Sequence, residues 1–297
     1  MRTYDDTLYA FRYRLAIIAW LLFAIAEPGW TSHVDTVSIH SDAMGRAIPA
    51  LIITPDSYAT ADTATHYPVV YLLHGYSGDY LDWHDKAPNL LPLADTHQLI
   101  IVCPDGGYNS WYLDSPVNDS SQYETHVDRE VVRFVDEHYR TVPNRESRAI
   151  AGLSMGGHGA LFLALRHPDT FGAAGSMSGG VDLTYDTDAW DIQQQLGRYE
   201  EHPLRWDSLS VVNLVAITPP DSLAIILDCG TEDFFFTINQ RLHQLMMEKK
   251  IRHDYIVRPG SHQWDYWNHA VPYQLLFFRH YFNEARRSKK PGVSQGQ

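Results

Sequence analysis

Short apolar runs separated by polar, Gly- or Pro-bearing stretches recur from Val34 to Val257. Val34–Ile39 and Ile48–Ile53 predict an opening antiparallel pair. Val69–Leu73, Leu99–Val102, Ala149–Leu153, Ala173–Met177 and Leu223–Leu227 are short, nearly all apolar runs bounded by Gly, Pro or Asp, as strands buried on both faces should be. Helical patterns lie between them. Ser121-x-x-Glu124 predicts a capping box before VVRFVDEHY, and a second helix follows Ser154 and stops near Pro168. Strands alternating with helices predict an α/β fold, with a mostly parallel central sheet and helices on both faces. Residues 181–220 contain few strand-like runs and several aromatics. They are expected to form an insertion over the C-terminal edge of the sheet, where α/β ligand sites lie.

The two ends break this pattern. Leu15–Ala26 reads LAIIAWLLFAIA after Arg2, Arg12 and Arg14. As a helix it spans about 18 Å, too short for a hydrocarbon core of roughly 30 Å. Ala24-Ile25-Ala26 has the small-x-small form of a cleavage site, so residues 1–26 predict a signal peptide and a secreted or periplasmic protein. The alternative is an uncleaved anchor. The tail from Arg286, RRSKKPGVSQGQ, predicts a flexible end, leaving 27–285 as a single domain.

Composition narrows the chemistry. The net charge of −13 argues against nucleic acid or an anionic membrane as the main partner, and no stable membrane partner is expected. Sixteen histidines raise the question of metal or acid–base chemistry, but no compact metal-ligating spacing such as HExxH occurs, so no metal is expected. Two cysteines, Cys103 and Cys229, exclude a disulfide scaffold and any multi-Cys metal site. Several strands separate them in an α/β topology, so both are predicted free.

The sharpest local signal is Ala149-Ile150-Ala151-Gly152-Leu153-Ser154-Met155-Gly156-Gly157, a strand running through G-x-S-x-G into a helix. A serine on so tight a turn needs small residues on either side, and Gly152 and Gly156 supply them. The turn would expose the Ser154 hydroxyl above the sheet as a nucleophile. A serine needs a base, and an acyl intermediate needs N–H donors for its oxyanion. The Met155 amide is one expected donor. The other belongs to the loop after VVYLL, in His74-Gly75-Tyr76-Ser77-Gly78, and is assigned to the Tyr76 backbone. His74, which precedes that turn, is read as holding the loop. The acid should follow a late strand: Asp233, past the Gly turn of Asp228-Cys229-Gly230-Thr231-Glu232-Asp233, is favoured over Asp228, with Glu232 behind. The base comes later still, and His262 in Pro259-Gly260-Ser261-His262-Gln263-Trp264 fits better than His253, His269 or His280.

HGYSG, GLSMGGHGA, GTEDFF and GSHQWDYW together resemble the esterase D family of α/β-hydrolases, over roughly Val34 to Tyr281. That group includes S-formylglutathione hydrolases, tributyrin-type esterases, acetyl-xylan and feruloyl esterases, and mycolyltransferases. The resemblance implies the α/β-hydrolase fold, a triad of Ser154, Asp233 and His262, and oxyanion amides on Tyr76 and Met155. It favours Asp233 over Asp228. The stretch from Tyr108 to Ser115 resembles the family's cleft-lining segment, so Trp111 and Tyr112, with Trp264 beside His262, are the expected substrate contacts. The implied function is a serine carboxylic-ester hydrolase with an acyl-serine intermediate and no cofactor. Its partner would be a small-molecule or carbohydrate ester, such as an acetyl or feruloyl ester. Alternatives are acyl transfer of the mycolyltransferase type, an S-formylglutathione hydrolase-like thioesterase, which export disfavours, and a non-catalytic carbohydrate-binding protein on the same scaffold.

Overall fold

The computed structural model describes residues 33–288. The expected signal peptide at 1–26 and the tail beyond Ser288 lie outside the described residues. The strands are β1 (His33–Ser41), β2 (Arg46–Thr54), β3 (Val69–Leu73), β4 (Ile100–Pro104), β5 (Arg148–Leu153), β6 (Ala173–Met177), β7 (Ala224–Gly230) and β8 (His253–Arg258). They form one sheet in the order β1-β2-β4-β3-β5-β6-β7-β8. The pairs β1–β2 and β2–β4 are antiparallel and the rest parallel. This is the mostly parallel sheet that the run pattern predicts.

The continuous apolar character of the strands has a direct cause. Val69, Tyr71 and Leu73 point to one face, into the apolar cluster that also holds the helix Met155–Arg166 (α1) and, further along the sheet, Leu242 of Phe236–Glu248 (α2). Val70 and Leu72 point to the other face, against Leu90 and Ala94 and the long helix Trp264–Ser288 (α3). Both faces are dry, so neither alternate set is polar.

Three sequence expectations change. Strand β7 runs through Asp228 and Cys229 to Gly230 rather than ending near Leu227. Asp228 can sit inside a buried strand because Tyr266 Oη and Arg258 both donate to its carboxylate. The capping box at Ser121 does not form. Backbone atoms of Ser121 and Tyr123 instead bond to Ser115 and Leu113, and the Glu124 carboxylate accepts from Arg166 and His167. The cap comes from another segment: Asp114 accepts from the Thr125 amide at 2.9 Å and its hydroxyl at 2.6 Å. Finally, Arg286–Ser288 belong to α3 rather than to the tail.

Residues 181–220 hold three short helices, Gln193–Leu196, Pro203–Leu209 and Val211–Ile217, with no strand. Cys103 on β4 and Cys229 on β7 are both free and buried, with β3, β5 and β6 between them. No helix among the described residues is long and apolar enough to cross a membrane.

Candidate active site

Ser154 sits between β5 and α1 with φ 54° and ψ −116°, a left-handed conformation that costs a non-Gly residue about 1–2 kcal/mol. Its neighbours fix it there: its amide donates to Met177 O at 3.0 Å and its carbonyl accepts from the Gly180 amide at 3.1 Å. The flanking glycines are sterically required. A Cβ on Gly152 would lie 2.3 Å from Gly156 O, and one on Gly156 would lie 2.5 Å from both Leu73 O and His74 O.

The loops after β7 and β8 bring in an acid and a base. Thr231 N donates to Arg258 O at 3.0 Å and Glu232 N to Gly260 O at 2.9 Å, locking one loop to the other. Gly260 has φ 142°, and a Cβ on Gly230 would lie 2.1 Å from Gly260 O, so the two turns pass in contact. Between them His262 Nδ1 faces Asp233 Oδ2 at 2.8 Å and Oδ1 at 3.0 Å. Its Nε2 faces Ser154 Oγ at 2.9 Å. The imidazole therefore donates to the buried carboxylate through Nδ1–H and accepts the serine hydroxyl at Nε2. The Asp233 amide bonds to Gly230 O, and its Oδ1 also accepts from Phe235 N at 2.8 Å.

Asp228 belongs to a different cluster. Its carboxylate is fully buried and bound by Tyr266 and Arg258, away from His262. Burial raises its pKa above the ordinary carboxylate range, partly offset by those two donors.

His74 carries no reacting proton. Gly106 N donates to its Nε2 at 2.8 Å, so Nδ1 holds the hydrogen and donates to Gly75 O at 2.8 Å. Burial pushes its pKa down and keeps the ring neutral. The imidazole staples the HGYSG loop to the loop after β4, and the former runs so near the serine turn that a Cβ on Gly75 would lie 3.5 Å from the Ser154 Cβ. Tyr76 follows on that loop, and Met155 opens α1. Neither amide has an acceptor among the described residues.

A cleft of about 250 Å3 opens on Ser154 and His262, lined also by Gly75, Tyr76, Lys86, Trp190, Phe234, Trp264 and Trp267. Trp264 is one of the lining residues. Trp111 and Tyr112 are not, which corrects the expected substrate contacts. Tyr112 is 0% exposed, wedged where a Cβ on Gly106 or Gly159 would meet its ring at 2.3 or 2.5 Å, and its hydroxyl donates to His74 O. Trp111 is 3% exposed and packs on His158 and on the inner side of Trp190. The wall facing solvent is instead Trp190, from the insertion, and Phe234, 46% exposed and 4.2 Å from the His262 ring centroid. Phe234 directly follows Asp233, so its place was open to inference; nothing in the pattern singled out Trp190. A larger groove of about 610 Å3 lies elsewhere, between β7, β8 and α3, and includes none of Ser154, Asp233 or His262. Among the described residues no group of three or more His, Cys, Asp or Glu is arranged to hold a metal ion.

Known proteins resemble this chain along most of the described fold. A ferulic acid esterase of solved structure matches with a TM-score of 0.73 and 29% identity, covering 84% of this chain and 98% of that one. An acetyl esterase from Caldicellulosiruptor saccharolyticus is 27% identical over 216 residues, 68% of this chain and 79% of the relative. An esterase from Mycobacterium tuberculosis is 34% identical over 138 residues, 46% of this chain; the match spans only 30% of that relative's length. The sheet order and these neighbours make the fold that of an α/β-hydrolase. The Esterase family model matches residues 41–278, most of the length of the chain, and the protein belongs to that family.

Proposed function

We propose that the protein is a serine carboxylic-ester hydrolase working through an acyl-serine intermediate. The observation that carries this reading is the hydrogen-bonded run from Ser154 Oγ through His262 to the buried Asp233 carboxylate. Ser154 Oγ attacks the ester carbonyl as His262 Nε2 takes its proton. The Tyr76 and Met155 amides, which lack other acceptors, donate to the oxyanion that forms. His262 then returns the proton to the departing alcohol, and Asp233 stabilises the imidazolium between the two transfers. Water cleaves the acyl-enzyme through the same base, with no cofactor.

Substrates are proposed to be acyl esters of carbohydrates, acetyl or feruloyl, or short-chain esters. The likeness to a ferulic acid esterase and an acetyl esterase supports this, as does the aromatic lining of the cleft. At about 250 Å3 the cleft is near the small end for ligand sites, which favours a compact acyl group over a long lipid chain. Hydrolysis of p-nitrophenyl acetate tests the reading. Turnover is expected in the wild type, with a loss of at least about 10³-fold in Ser154→Ala. Equal turnover by Ser154→Ala would mean that another group is the nucleophile.

A further inference from the structure

The connection from β6 to β7 carries Trp190 and Asp191, consecutive non-Gly residues with φ 54° and 53°. Two adjacent left-handed residues persist only where surroundings over-determine them, and such strain collects at ligand-facing segments. The surroundings here are specific. Tyr76 Oη donates to Asp191 Oδ2 at 2.7 Å. Asn109 Nδ2 donates to Asp191 O at 3.4 Å, and Gln195 Nε2 holds Asn109 Oδ1 at 3.0 Å. These bonds reach the insertion from the HGYSG loop and from the loop after β4, which adjoin each other through the Ser77 amide and Tyr108 O at 2.8 Å. The indole they present is half-buried and stacked on Phe234, with ring centroids 5.9 Å apart and planes 16° apart. Phe234 in turn covers His262.

We propose that Trp190 determines which acyl groups the cleft accepts, and that Asp191, tied to the Tyr76 phenol, is the positioning residue that holds it. This rests on the esterase reading above. Trp190 and Phe234, their ring planes nearly parallel, put two aromatic side chains into the cleft that holds Ser154, suited to packing against a flat acyl group and offering little to acetyl. One residue serves two ends: the Tyr76 amide faces the reacting carbonyl, while its hydroxyl anchors the strap that carries Trp190. The Asp191 carboxylate raises the pKa of that phenol by accepting its hydrogen, so the anchor persists through neutral and moderately alkaline pH.

The test keeps the leaving group constant and varies the acyl half, comparing kcat/KM for p-nitrophenyl benzoate and p-nitrophenyl acetate. Trp190→Ala should lower the benzoate-to-acetate ratio about tenfold, mainly through KM, and Trp190→Phe should keep most of it. Asp191→Ala should lower the ratio about threefold, and Asp191→Asn, which retains an acceptor oxygen, should restore it. A ratio within twofold of wild type in Trp190→Ala overturns the role of Trp190. Equal losses in Asp191→Asn and Asp191→Ala overturn the role of the hydrogen bond. The esterase reading fails separately, and takes this inference with it, if the wild type hydrolyses neither ester in a Ser154-dependent way.

Discussion

Asp233 meets His262 with both carboxylate oxygens, at 2.8 and 3.0 Å from Nδ1, while Asp228, five residues earlier and also buried, meets Arg258 and Tyr266 instead. The two carboxylates therefore have separable effects. Asp233→Asn should cut kcat for p-nitrophenyl acetate by about 10³- to 10⁴-fold with little loss of stability, because the imidazole loses the partner that sets its tautomer. Asp228→Asn should lower unfolding free energy by about 2–3 kcal/mol, since Arg258 keeps a charge without a buried counter-ion. Urea unfolding and steady-state kinetics on both variants check this, and a larger kcat loss at Asp228 would reverse the assignment.

Gly156, two residues past Ser154, should tolerate no side chain. The Gly156→Ala methyl would stand 2.5 Å from two backbone carbonyl oxygens of β3 and its loop. Backbone cannot yield as a flexible side chain does, so a cost of about 3 kcal/mol or a failure to accumulate soluble protein is expected. A thermal melt like that of wild type would contradict the close packing.

Tyr112 offers a test of the corrected cleft lining. Tyr112→Phe removes only the bond to His74 O, costing about 1 kcal/mol, whereas Tyr112→Ala leaves a cavity worth about 3–5 kcal/mol. Neither folded variant should change KM for small esters. A KM change without a stability change would return Tyr112 to the substrate.

His158 makes stability depend on pH. Both its nitrogens face carbonyl oxygens, Trp111 O and Leu209 O, each at 3.1 Å, and burial pushes its pKa down to about 4. A folded value below the unfolded value near 6.5 means that stability is fully present above that value and is lost as pH falls toward 4. Between pH 7 and pH 5 this one residue should remove about 2 kcal/mol. His158→Gln should flatten the pH dependence of urea unfolding by that amount. A residual slope of the same sign remains from His74 and His126, whose values burial also lowers. An unchanged slope would mean that His158 is not the group responsible.

Much of the fold was legible because both faces of the parallel strands are dry, which leaves runs such as VVYLL without polar alternation. The Ser154 turn was legible for a similar reason: the backbone approach of Leu73 to Gly156 demands glycine, and glycine is visible in a sequence. Aromatic roles were not. Whether a ring is a wedge or a wall depends on distant partners, and Gly106 and Gly159 make the pocket that swallows Tyr112. Trp190 reaches the cleft through Asp191, Tyr76 and Asn109, residues far apart in the chain. The end of β7 was misjudged because a carboxylate reads as a strand stop, and only Arg258 and Tyr266 make Asp228 tolerable inside one.

The proposed mechanism routes every acyl group through Ser154. Mixing the protein with p-nitrophenyl acetate, quenching with acid within milliseconds and mapping peptides by mass spectrometry tests it most directly. One acetyl group is expected on the peptide containing Ser154, formed at the rate of the p-nitrophenol burst and absent from Ser154→Ala. Acetyl on a different residue, keeping pace with turnover while Ser154 stays unmodified, would contradict it.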